Sequence, residues 1–365
     1  IDSSAGSVSG GIAGIDAQHD GTGTMLIIAA DVTGIAGNGI SAVNQSRGAD
    51  LIINSAAGTV TGSESGIDAD NNGAGALIVT SAGAGGGSGD GIAADNNAAG
   101  TDLLINSVAG SVSGGQNGIA ANNLGTGGMI IATADVAGAA ANGIDAANSA
   151  AGLGIDINSA AGSVTGANAG IAASNQGSTV LLITTADVTG TAAEGILASN
   201  VGVDTIINST AGTIKGATNG IGATNATGLL VINAANVIGG SGDGITATNT
   251  GSELIINSAA GAVTGLNNGI SANNQGTSIL LITTADVTGA SAAGIAVTNS
   301  GTDLLVNSAA GSIGGETDGV VATNSGTGLL SVVSANVTGA TGNGITAVNF
   351  GTDLIIDSSA GSVSG

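Results

Sequence analysis

Aliphatic residues recur along the chain in short groups set apart by polar, glycine-rich turns, and the groups keep a fixed order. A Gly-Ile pair, once Gly-Val, ends at Ile15, Ile40, Ile67, Ile92, Ile119, Ile144, Ile171, Ile196, Ile221, Ile245, Ile270, Ile295, Val320 and Ile345, a spacing of 24 to 27 residues. Self-similarity at such a period signals a repeat architecture. Two residues after each of these positions stands Ala, except Val297, and four residues after stands Asn, except His19. The unit therefore opens G-I-x-A-x-N, an alternation of apolar and polar positions that fits a β-strand. It continues through a Gly-containing turn into an aliphatic run such as Leu103-Leu104-Ile105 or Leu181-Leu182-Ile183. A second short turn leads to V-x-G, as in Val164 to Gly166 and Val287 to Gly289. Three short β segments separated by Gly, Asn, Asp and Ser fit one rung of a three-sided coil, and none is long enough for a helix.

A period of about 25 residues is too short for a propeller blade or a helical-pair repeat, and the leucine-rich signature is absent. The pattern predicts an all-β fold, a parallel β-helix or β-solenoid of about fourteen coils, right-handed by the general preference of parallel crossovers. At the inter-strand spacing of about 4.8 Å such a stack is roughly 67 Å long. The composition is uniform and shows no linker, so residues 1–365 read as one continuous solenoid domain. A finer alternation lies on top. Coils carrying I-N-S-x-A-G-x-V, as at Ile53 or Ile256, alternate with coils of the A-D-V-T-G type, as at Ala186 to Gly190. The true repeat is a two-coil unit of about fifty residues.

Composition sharpens this picture. With 69 Gly, no Pro, Cys, Trp or Tyr and one Phe, the core must be built from Ile, Leu, Val and Ala. The apolar fraction of 42% and its regular spacing argue against disorder. One coil buries too little apolar surface to offset the ordering of its own backbone, so stability belongs to the stacked array. The lack of Cys removes disulfides, thiolate chemistry and Cys metal sites.

Lys215 and Arg47 are the only basic residues against 25 acidic ones, a formal net charge of −23. Phosphate backbones and anionic membrane surfaces are bound by clustered Lys and Arg, so neither a nucleic acid nor an anionic membrane is an expected partner. The longest aliphatic clusters, such as Val180 to Ile183, are strand-sized, and no membrane insertion is expected.

The Asn at thirteen of fourteen equivalent turns reads as a structural ladder, in which each side-chain amide donates to the Asn carbonyl on the next coil. His19 takes the Asn place in the first coil and reads as a turn substitution, not a metal ligand. Acidic residues form two rows. Asp50, Asp102, Asp204, Glu253, Asp303 and Asp353 share one position, and Asp31, Asp135, Asp187 and Asp286 another. Each row skips every other coil, which keeps like charges about 9.6 Å apart. Surface Ca²⁺ bridging is the functional alternative for these rows, but the D-x-D-x-D and G-G-x-G-x-D patterns of calcium loops are missing. No cofactor, no catalytic residue and no metal-binding residue is assigned. An enzyme is not expected, because carboxylates lack basic neighbours, no inserted loop builds a cleft and no aromatic platform is present.

The units N-G-I-x-A-x-N and A-D-V-T-G, seen at Asn38 to Asn44 and Ala285 to Gly289, resemble the repeats of bacterial autotransporter passengers and large surface adhesins. The resemblance covers nearly the whole chain and is one of repeat style. It implies a secreted β-helix at the bacterial cell surface that projects a binding or assembly function, and the scarcity of Cys is similar to such passengers. Residues 1–10 and 356–365 both read IDSSAGSVSG, in register with a 355-residue super-repeat. Ile1 opens the chain without an initiator Met or signal segment, which reads as a mature form or an excerpt of a longer array. The expected function is a structural extracellular fibre or adhesin stalk, whose partner is itself, end to end and laterally. The rivals are an adhesive passenger that holds a ligand and an ice-binding solenoid; Thr246 and Thr248 hint at the latter, but the position before Asn is irregular, holding Val43, Asp70, Asn122, Ala147 or Ser174 in other coils. Phe350, Leu124 and Val201, in the turn after the Asn row, are candidates for lateral contacts or scattered apolar surface.

Overall fold

The computed structural model describes residues 1–365 throughout, with no helix. The chain divides into two compact units, Ile1–Thr191 and Ala192–Gly365. Each is a parallel β-solenoid, and the chain makes about 15 turns with coils about 25 residues apart.

In the first unit the Asn strands run from Ile15–His19 through Ile40–Asn44 and Ile67–Asn71 to Ile171–Asn175. Successive strands pair parallel and in register, Ile40 beside Ile67, Ala42 beside Ala69 and Asn44 beside Asn71. The second unit repeats this from Ile196–Asn200 to Ile345–Asn349, with Ile221 beside Ile245 and Asn225 beside Asn249. The aliphatic strands, such as Leu51–Ser55, and the V-x-G strands, such as Val60–Gly62, form the other parallel sheet. In Ile155–Gly166 and Leu304–Gly315 these two segments run on as one strand. Three β segments per coil therefore build two sheets.

Strand alternation decides what is buried. Ile40, Ala42, Leu51, Ile53 and Val60 face inward without exposed surface, together with the polar Asn44 and Ser55. Close stacking explains the glycine before each Ile. A Cβ on Gly39 would lie 2.6 Å from the carbonyl oxygen of Gly66 on the next coil, so any side chain there would push the coils apart.

The two-coil repeat has a structural cause. Between the strands Ile155–Gly166 and Leu181–Gly190, Ser159 pairs with Thr185 but Ser163 with Asp187, so one coil carries two more residues at the corner than its neighbour. The second unit shows the same shift between Ser308–Ser334 and Ser312–Asn336. Such a bulge interrupts the ladder and leaves a backbone N–H to be satisfied elsewhere. Gly162 lies in it because a Cβ there would meet the backbone nitrogen of Asp135 at 2.6 Å. Just inside the corner, buried hydroxyls pair within the two-coil unit: Ser107 with Thr133 at 2.8 Å, Ser159 with Thr185 at 2.9 Å and Ser258 with Thr284 at 2.8 Å.

Candidate functional site: the side-chain rows of the coils

Because every coil repeats the same strands, chemistry in this molecule comes in rows. The innermost is the asparagine ladder. In the first unit Asn44 Nδ2 donates to Asn71 Oδ1 at 2.8 Å, Asn71 to Asn96 at 2.8 Å, Asn96 to Asn123 at 2.8 Å and Asn123 to Asn148 at 3.0 Å. The second unit continues the pattern, for example Asn274 to Asn299 at 2.9 Å and Asn299 to Asn324 at 3.0 Å. Each amide also closes its own turn, as Asn123 does by donating to the Gly127 carbonyl at 3.1 Å. The ladder thus has a direction, with donors toward the later coil. His19 keeps the turn contact, its Nε2 lying 3.0 Å from the Gly23 carbonyl oxygen, but supplies no rung. Asn44 Oδ1 is consequently a buried acceptor without a partner.

Both acidic rows act on backbone. Asp50 Oδ1 accepts from the Ala76 N–H at 2.9 Å, Asp102 from Gly128 at 2.8 Å, Asp204 from Leu229 at 2.8 Å and Asp303 from Leu329 at 2.7 Å. In the same row Glu253 accepts from the Ser278 hydroxyl at 3.2 Å. The second row serves the bulged corners: Asp31 accepts from the Thr59 N–H, Asp135 from Ser163 and Asp286 from Ser312, each at 2.9 Å. In the second row each carboxylate takes the N–H that the two extra corner residues leave without a ladder acceptor, which is why that row skips every other coil. The backbone N–H and hydroxyl of Ser163 hold the Asp135 carboxyl below its ordinary value, and those of Ser312 do the same for Asp286. No three His, Cys, Asp or Glu side chains converge to hold a metal ion.

A third acidic group lies on the outer face of the Asn sheet in the first unit. Asp68 and Asp70 leave one strand, and Asp95 stands beside Asp70 in the next. Burial pushes the Asp68 carboxyl up from the ordinary 3.8; the amide of Asn38, donating at 2.9 Å, opposes this, and Asp95, Asp90 and Glu64 add to the rise. Asp70 is raised by burial, then by Asp68 and Asp95. Asp145 is raised by burial first and by Asp90 in smaller part.

The aliphatic strands carry a row that the sequence pattern announces only indirectly. In a run such as Leu103-Leu104-Ile105 the outer two residues fill the core and the middle one must face out. Leu26, Ile52, Ile78, Leu104 and Ile130 form such a stripe over five successive coils. Ile78, Leu104 and Ile130 line a shallow groove of ≈ 270 Å³ with Ala76, Asp102 and Gly128. On the third side Gly83 and Gly85 open a notch between Thr59, Thr61, Ser111 and Ser113. A Cβ on Gly85 would make only ordinary contacts at 3.7 Å, so packing does not demand that glycine.

Thr246 and Thr248 do face outward from the second unit's Asn sheet, beside Gly222 and Thr224 on one strand and Ser271 and Asn273 on the other. The Thr pair is not repeated by either neighbour. Phe350, Leu124 and Val201 are exposed, Phe350 at 72%. Leu124 follows Asn123 as Asn97 follows Asn96 and Ser149 follows Asn148, so its row neighbours are polar. No helix is long and apolar enough to cross a membrane. No protein-family model, curated protein or solved structure matches the chain.

Proposed function

We propose that the chain is a structural extracellular fibre or adhesin stalk on a bacterial cell surface, assembled by continuation of its coils end to end, with no catalytic role and no cofactor. The observation that carries this reading is the directional, in-register stack: within each unit, successive coils offer the same strand edges and the same Asn donor to the coil that follows. A coil of that kind accepts another as readily as its own neighbour. The recurrence of IDSSAGSVSG 355 residues apart keeps the same register and supports continuation. The repeat style resembling autotransporter passengers and surface adhesins supports the extracellular location. The carboxylate rows are engaged with backbone N–H groups, which supports a scaffold over a site that binds or transforms a ligand.

Electron microscopy of the native material tests the reading. Long filaments are expected. Discrete particles that never exceed a single copy of the chain would overturn it and favour an adhesive passenger acting alone.

A further inference from the structure

Deepening the fibre reading, we propose that the aliphatic stripe on the outside of the second side is the lateral contact, and that its occupant is a second copy of this chain, packed face to face with the two stacks running in the same direction. Leu26, Ile52, Ile78, Leu104 and Ile130 stand on successive paired strands about 4.8 Å apart. Leu26 is 44% exposed and Ile130 46%, whereas the flanking core residues Ile27 and Ile131 are fully buried. Asp156 ends this run. The second unit offers another, including Val231, Ile255, Leu281 and Leu305. An unbroken aliphatic row of this kind is not the scattered apolar surface of an ordinary monomer.

The rims say which copy-to-copy arrangement fits. On one side of the stripe lie Asp50 and Asp102, two residues before Ile52 and Leu104; on the other lie Asn54, Thr80 and Asn106, two residues after. A twofold axis parallel to the stacking direction reverses the strand direction across the contact and sets each acidic rim against the partner's amide and hydroxyl rim. A twofold axis along the strands would instead set acid against acid, at a cost for a chain of net charge −23. Five strands about five residues wide offer roughly 400 Å² per copy, about 800 Å² in total, which is the size of a weak contact. The run in the second unit offers a similar area again, and in a filament the contact recurs with every copy, so avidity turns a weak pairing into bundling.

The test uses the full chain. Ile52→Asp with Leu104→Asp places two carboxylates two coils apart, each between aliphatic neighbours as Asp156 is between Ile130 and Leu182, so the fold tolerates them. Sedimentation of the parent chain should show dimers or larger species, and the double variant should associate about tenfold or more weakly, because like charges then meet across the contact. The chain has no Cys, so Ile78→Cys carries a single thiol. In the same-direction pair this thiol faces its own mate, and a short bis-maleimide should convert Ile78→Cys to covalent dimer while Thr61→Cys stays monomeric. A parent chain monomeric at every concentration would overturn the proposal, as the stripe would then need a different occupant. Unchanged association of the double variant, or equal cross-linking at Ile78→Cys and Thr61→Cys, would overturn it as well. Filament length reads the fibre proposal separately. Long single filaments that never pair defeat only the lateral contact, and dimers without filaments defeat only the fibre.

Discussion

The outer face of the Asn sheet differs between the two units although the strands beneath are the same. In the first unit it carries Asp68, Asp70, Asp95 and Asp145; in the second, the corresponding positions hold residues such as Thr224, Thr246, Thr248, Thr298 and Thr323. Ile67–Asn71 and Ile245–Asn249 nevertheless share one burial pattern, inward Ile, Ala and Asn with half-buried residues between. The difference teaches that the stack constrains the inward row strictly and leaves the outward row free. Fold should therefore respond to the first and surface chemistry to the second.

The largest effect is expected where the units do not differ. Asn123→Ala removes donors to Gly127 and Asn148 and an acceptor for Asn96 and the Gly125 N–H. Asn249→Ala removes the matching bonds to Glu253, Asn274, Asn225 and Gly251. Each leaves several buried groups unpaired and should cost about 3 kcal/mol or more in chemical denaturation. Equal losses in the two units support a common ladder, and a loss confined to one would break the comparison. His19→Asn runs the other way. It gives the orphaned Asn44 Oδ1 a donor and should stabilise the first unit by about 1–2 kcal/mol, read as slower amide exchange in Ile40–Asn44.

Exchanging the outward residues tests the differing row. Asp70→Thr removes a carboxylate directly beside Asp95 and should stabilise the first unit at neutral pH by about 0.5–1 kcal/mol, whereas Thr248→Asp, beside Thr224 and Asn273, should change the second unit less. The pH dependence follows from the same carboxylates. Folded Asp68, Asp70 and Asp145 titrate above the ordinary 3.8, so folding binds protons; their contribution is fully present below the unfolded value and is lost as pH rises through the folded values. Acidification from neutrality should thus slow exchange, corrected for its intrinsic rate, at Ala69–Asn71 relative to Ala247–Asn249. Asp135 and Asp286 titrate below 3.8, and their contribution is present above that value and lost as pH falls through the folded ones. Below 3.8 both units should weaken. The smallest effect belongs to Phe350→Ser, for which unchanged stability and bundling are expected because its side chain is 72% exposed and lies off the aliphatic stripe.

Much of this was legible in the sequence. The G-I-x-A-x-N spacing shows the coil, the alternation of inward residues and the Asn ladder, because a strand's period of two and a stack's repeat are both one-dimensional. The Asp rows were visible at Asp50 and Asp135, but their role was not. For Asp135 it depends on which N–H the two extra corner residues leave unpaired, and for Asp50 on which N–H of the next coil's turn lies against it; both are properties of paired coils, not of one. Leu103-Leu104-Ile105 shows in the sequence only as an aliphatic run; the strand's period of two turns Leu104 outward, and its apolar neighbours Leu103 and Ile105 mask that alternation. The direct running-on of Ile155 to Gly166 as one strand has no signal that distinguishes it from Leu51 to Gly62, which does not.

The central proposal is that coils stack along a fibre with strands perpendicular to its axis. X-ray diffraction from oriented native material measures this directly. A reflection near 4.8 Å along the fibre axis is the predicted result; that spacing across the axis, or its absence from well-oriented material, would contradict the account.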